Sequence, residues 1–163
     1  MLDDKGSGDG VTELKTGTIL DGFELTEKIA SGGMGSLWRA KKAGVKYPLA
    51  LKIPFLDSGR DVSTVVGYEI EEMIMKRLSG PHVPRFAGSG DLARTPFIAM
   101  EFVQGHTVAE QLATLPMTPT KVVETGKRIA AALASLNGQL VSHLDLKPDN
   151  IFLTSRGAVL IDF

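Results

Sequence analysis

The chain has 163 residues, 43% hydrophobic and 23% charged, a balance that supports a packed soluble core of about one domain. A net charge of −1 supplies no basic footprint for nucleic acid or a membrane surface, and the absence of cysteine excludes disulfides and thiolate metal sites. With no basic-then-apolar leader and no apolar run of membrane-spanning length, a cytoplasmic location is the default expectation, a membrane segment beyond residue 163 being left open.

Residues 1–18 are rich in Gly, Asp, Ser and Lys without apolar periodicity, and a disordered lead-in is expected there. From Phe23 to Ile29 apolar and polar residues alternate as on a half-buried strand, and Ser36 to Ala40 returns antiparallel to it. The tip between them, Ser31-Gly32-Gly33-Met34-Gly35, reads either as a plain turn or as a loop whose missing Cβ atoms let backbone N–H groups approach phosphates.

A third strand is expected over Tyr47 to Pro54, and alternation puts Ala50 and Lys52 on one of its faces. Lys52 has apolar neighbours on both sides and is costly to bury unless it meets an anion. Val62, Val66, Ile70, Ile74 and Leu78 recur every fourth position and predict a helix. Glu69, Glu71 and Glu72 on that helix compete as the partner of Lys52. Glu71 shares a face with Gly67, Ile74, Met75 and Leu78, whereas Glu72 lies with Tyr68 and Lys76 on a polar side and can pair with Lys76.

Two further strands are expected over Arg85 to Asp91 and Pro96 to Val103. A short helix follows from Thr107 to Leu115, and a longer one from Pro119 to about Leu140, with Thr118 capping and Pro119 at its first position. The Ile129–Leu133 centre of the longer helix is apolar on several sides, so other elements must cover it. The last residues, Val159-Leu160-Ile161, read as a buried strand. A chain stopping there is expected to be the first part of a longer domain, prone to aggregate and weakly active alone.

Between these elements lies Ser142-His143-Leu144-Asp145-Leu146-Lys147-Pro148-Asp149-Asn150, with Asp162-Phe163 after an expected strand-turn-strand. Its side chains suit phosphoryl transfer. Asp145 can accept a hydroxyl proton, Lys147 can offset charge on a moving phosphoryl group, and Asn150 with Asp162 can hold Mg²⁺ through hard oxygen ligands. The pattern H-x-D-x-K-x-x-N followed by D-F resembles the catalytic loop of Ser/Thr protein kinases, and the Gly-Gly-Met-Gly tip looks most like the bacterial, eukaryotic-type members.

That resemblance runs through the whole chain after the lead-in. It implies an α+β, two-lobed kinase fold: a five-stranded antiparallel sheet with one helix over 19–103, then a hinge and the start of a mostly helical second lobe over 104–163. It places Ala30, Ser31, Gly32, Gly33, Met34, Gly35 and Leu37 over ATP, with Ala30 standing where the family has its first glycine. Lys52 would hold the α- and β-phosphates, Glu71 would pair with Lys52, and Glu69 is the runner-up for that pairing. Ala50 and Phe152 would sandwich adenine, Met100 would be the gatekeeper, and backbone groups of Glu101 and Val103 would bind the adenine edge. His143 would pack under Phe163. Leu144 departs from the usual arginine, which makes activation by a phosphate–arginine pair doubtful at this site.

The implied activity is transfer of the γ-phosphoryl group of ATP, with Mg²⁺, to a Ser/Thr hydroxyl of a protein substrate. Lys147 favours Ser/Thr over Tyr acceptors, and autophosphorylation within a homodimer is compatible with it. The rival, to which Ala30 and Leu144 give some weight, is a pseudokinase that binds nucleotide or partners without catalysis.

Overall fold

Phe23 and Leu25, two positions apart on one strand, are 1% and 0% exposed. With Trp38, Leu49, Leu51 and Phe97 they form the first of two cores, in which the rings of Phe23 and Phe97 meet edge to face at 5.5 Å. The computed structural model describes residues 14–33, 35–55, 62–91, 94–113 and 116–163. In chain order the elements around this core are β1 (Ile19–Leu20), β2 (Phe23–Ser31), β3 (Gly35–Lys41), β4 (Leu49–Pro54), α1 (Val62–Arg77), β5 (Phe86–Ser89) and β6 (Ile98–Glu101).

The strands form an antiparallel sheet in the order β1-β2-β3-β4-β6-β5. It has six strands rather than the five expected. The extra one is the two-residue β1, too short to show any periodicity in sequence. Leu14 packs against the core and Gly17 N–H donates to Leu25 O at 2.7 Å, so the last residues of the expected lead-in lie along the sheet, residues 1–13 of it being outside the described residues. The alternation of β2 holds at Phe23 and Leu25 but fails at Ile29, which is 37% exposed, because register shifts interrupt the β2–β3 pairing on either side of Lys28.

Helix α1 also departs from its expected facing. Its buried stripe is Tyr68, Glu71 and Met75, continued by Leu78 just past its end, while Val66 and Ile70 of the four-residue repeat are 44% and 47% exposed. Tyr68, assigned to the polar side with Glu72, is 7% exposed.

A second, three-stranded sheet, β7 (His106–Thr107), β8 (Ile151–Thr154) and β9 (Gly157–Leu160), packs with α3 (Pro119–Gly138). Helix α2 (Val108–Leu112) starts on a capping box, Thr107 with Glu110; Leu115 of the expected helix lies outside the described residues. Thr118 accepts from Lys121 N–H and Pro119 opens α3, as expected. Only Ala132 and Leu136 of α3 are buried, in the second core with Leu78, Val83, Ile151, Ala158 and Leu160.

The loop after α1 is tied to this second body. Ser79 exchanges two hydrogen bonds with the Gln139 amide, both at 3.0 Å. His82 Nδ1 donates to Ala158 O at 2.8 Å, and Leu160 N–H donates to His82 O at 2.9 Å.

Candidate active site

On β4, Leu49, Leu51 and Ile53 enter the core, and alternation turns Lys52 to the other face. There the ammonium lies 2.8 Å from both carboxylate oxygens of Glu71 and 3.0 Å from Asp162 Oδ1. Burial works against the charge on Lys52, but the two carboxylates outweigh it and hold its pKa above the usual value. Glu71 is 7% exposed, and burial pushes its carboxyl upward against the pull of Lys52. One ammonium facing two carboxylates leaves acid in excess, a composition that suits a further cation.

Glu69 and Glu72 do not contest this pairing. Glu69 is exposed, and Glu72 pairs with Lys76 at 2.6 Å, the i,i+4 bond expected of it.

Asp145, Lys147 and Asn150 meet on the loop between α3 and β8. Lys147 Nζ donates to Asp145 Oδ2 at 2.7 Å, and Asn150 Nδ2 lies 3.1 Å from Asp145 O and 3.3 Å from Oδ2. The hydrogen bond from Lys147 lowers the Asp145 pKa, and the same bond raises that of Lys147, which also feels Asp162. Asn150 is 3% exposed, and with its amide nitrogen committed its oxygen is the atom left to face a cation.

The two groups are joined through the backbone. Ile161 N–H donates to Asn150 O at 3.1 Å, one residue before Asp162. His143 is 5% exposed, its Nε2 donates to Ile161 O at 2.9 Å, and its ring lies 5.0 Å from that of Phe163. Asp162 and Leu144 both hold left-handed backbone, with φ of 57° and 61°, a conformation that costs a residue with a Cβ roughly 1–2 kcal/mol. Leu144, between His143 and Asp145 in the chain, is 96% exposed.

A cavity of about 590 Å³ runs between the β2–β3 tip and α1. Ala30, Ser31, Gly32, Gly33, Gly35 and Leu37 line it together with Lys52, Glu71 and Asp162. Met34 lies outside the described residues. Gly35 is required by close approach: a Cβ there would lie 2.5 Å from Ile53 O.

The residues expected around adenine do not line this cavity. Ala50 and Met100 sit opposite each other across β4 and β6, Val103 is 8% exposed, and Phe152 is on β8 opposite Thr107. Glu101 contributes a side chain that the sequence did not single out as a contact. Its carboxylate is held by Arg156, from the β8–β9 turn, at 3.0 Å.

Among the described residues no group of three or more His, Asp or Glu is arranged to hold a metal unaided. One carboxylate and one amide fit a Mg²⁺ that takes its other ligands from phosphate and water.

The protein kinase domain family matches residues 23–163. The chain belongs to that family. Among curated relatives, it is 28% identical over 150 residues to the serine/threonine-protein kinase pkn2 of Myxococcus xanthus, covering 89% of this chain and 18% of the relative. It is 31% identical over 148 residues to the serine/threonine-protein kinase PknL of Mycobacterium tuberculosis, covering 89% of this chain and 37% of that one. The crystal structure of the M. tuberculosis PknI kinase domain superposes with a TM-score of 0.76 at 24% identity, over 92% of this chain and 61% of the other, a likeness of fold. The chain therefore spans well under half the length of these curated relatives, and no helix among its described residues is long and apolar enough to cross a membrane.

Proposed function

We propose that the protein carrying this chain is an ATP-dependent Ser/Thr protein kinase, with residues 19–103 forming the nucleotide-holding lobe and 104–163 the hinge and start of the second. The observation that carries the reading is the convergence on Lys52 of Glu71 and Asp162, within one network with Asp145, Lys147 and Asn150. Lys52, Glu71 and Asp162, from three separate elements, line one cavity with the β2–β3 tip, and a backbone bond from Ile161 to Asn150 links them to the loop that carries Asp145 and Lys147.

In this reading the tip from Ala30 to Gly35 and Leu37 covers ATP, Lys52 meets its α- and β-phosphates, and Glu71 keeps Lys52 extended towards them. Ala50, Met100, Phe152 and the backbone at Glu101 and Val103 hold adenine. Asn150 and Asp162 hold Mg²⁺, which when bound neutralises phosphate charge. The substrate hydroxyl oxygen bonds to the γ-phosphorus as the bond from that phosphorus to the β–γ bridging oxygen breaks, and the hydroxyl proton passes to Asp145. With its pKa lowered by Lys147, Asp145 is ionised and ready to orient that hydroxyl, a weak base whose main contribution is position. Lys147 stands where charge gathers on the moving group.

The test is phosphate transfer from labelled ATP and Mg²⁺ to dephosphorylated casein by the full-length protein. Lys52→Ala and Asp145→Asn are each expected to lower kcat by about 10²-fold or more, and wild-type rates in either would defeat the assignment. Ala30 in the loop and an exposed Leu144 favour a second reading, nucleotide binding without catalysis. Saturable ATP binding with no label on casein or on the protein itself would select it.

A further inference from the structure

Helix α1 is held to the rest of the molecule along a narrow stripe. Tyr68, Glu71, Met75 and Leu78 are each at most 7% exposed, whereas Val66, Ile70 and Met73 are 44%, 47% and 64% exposed on the other side. Two polar attachments lie on that stripe, three residues apart. One is Glu71 to Lys52. The other is the Tyr68 hydroxyl, 2.8 Å from Phe97 O and 3.1 Å from Gly90 O.

Those two carbonyls flank the connection between β5 and β6 and are themselves bridged. Gly90 N–H donates to Phe97 O at 2.8 Å and closes the turn between β5 and β6. Nothing larger than glycine fits at position 90, where a Cβ would lie 2.2 Å from Thr95 O and 2.5 Å from the Phe97 ring. A phenol has one proton to give, and the shorter contact makes Phe97 O its main acceptor. Next to it, Glu72 hydrogen-bonds Ser89 of β5.

We infer that Tyr68 is a positioning residue, whose hydroxyl fixes the rotation of α1 about its own axis and thereby presents the Glu71 carboxylate to Lys52. The inference rests on the proposed role of the Lys52–Glu71 pair in phosphoryl transfer. Side-chain tips lie ~5–6 Å from a helix axis, so a turn of about 30° carries a carboxylate through about 3 Å. That displacement breaks a 2.8 Å ion pair. The Lys52–Glu71 contact holds the helix at a single point. The hydroxyl one turn earlier supplies the second fixed point that a rotation needs.

Two readouts in the full-length protein test this. In the first, a carbodiimide joins carboxylates to neighbouring amines, and the Lys52–Glu71 crosslink is counted by mass spectrometry against the Lys76–Glu72 crosslink internal to α1. Tyr68→Phe keeps the ring and removes the donor. The Lys52–Glu71 crosslink is expected to fall about fivefold while the internal one holds. An unchanged Lys52–Glu71 yield, or loss of both crosslinks together, overturns the inference. In the second, Tyr68→Phe is expected to lower kcat about tenfold with the KM for ATP within about twofold, and to have under twofold effect in a Glu71→Gln background. Equal losses in both backgrounds overturn the positioning role. A Glu71→Gln variant with wild-type turnover would instead remove the functional reading of the pair, leaving the crosslink ratio to decide on Tyr68.

Discussion

Arg156 and Glu101 form a two-toothed ion pair across the two sheets. Arg156 Nη1 lies 3.0 Å from Glu101 Oε1, and both terminal nitrogens lie within 3.2 Å of Oε2. The pair joins the β8–β9 turn to the last residue of β6, and the carboxylate also accepts from Arg85 N–H at 3.3 Å. The two side chains are only 16% and 27% exposed, so water cannot readily replace either partner. Arg156→Ala is expected to cost about 1–2 kcal/mol, between the values of exposed and buried pairs, lowering the Tm by roughly 2–8 °C. A double-mutant cycle with Glu101→Gln should give a coupling near 1 kcal/mol, and strict additivity would show that the contact carries no energy of its own.

Helix α3 ends on a motif that usually asks for glycine. Leu140 N–H donates to Asn137 O and Val141 N–H to Leu136 O, while Leu140 holds φ of 58° with its side chain 82% exposed. Leu140→Gly removes the clash of a Cβ in left-handed backbone and is expected to stabilise the chain by roughly 0.5–1 kcal/mol after its unfolded-state entropy is counted. Leu140→Ala retains the Cβ and should give no such gain in urea denaturation.

Tyr68 gives an alkaline signature. Burial, reinforced by the negative charge of Glu72 and Glu71, pushes its phenol from 10.0 up to about 12. A folded value above the unfolded one means the native state keeps the proton longer. The stability gained is therefore complete below pH 10 and is lost as pH rises through about 12. Between those limits the urea midpoint of the wild type is expected to fall more steeply than that of Tyr68→Phe. Parallel curves would contradict the buried phenol.

How far the sequence carried depended on the kind of pattern. Asp145, Lys147 and Asn150 were legible because fixed offsets on one loop put them in mutual reach, and Glu71 because an acid on an apolar face needs a cation. The face of α1 was misread for a geometric reason. Steps of four residues advance about 40° beyond a full turn, so a long run at that spacing spirals off the buried side. Val66 and Ile70 are accordingly exposed while Tyr68 is covered. The strands β1 and β7 have two residues each and carry no period to read. Arg156 was visible only as part of a turn, since its partner lies 55 positions away.

The tethering of Ser79 and His82 to Gln139, Ala158 and Leu160 has a mechanical consequence. Helix α1 is clamped at its far end to the second sheet and α3, and along its middle to the first sheet through Tyr68 and Glu71. It is a lever with supports on two different bodies. A shift of one sheet against the other would load the helix at both supports, and with it the carboxylate that faces Lys52.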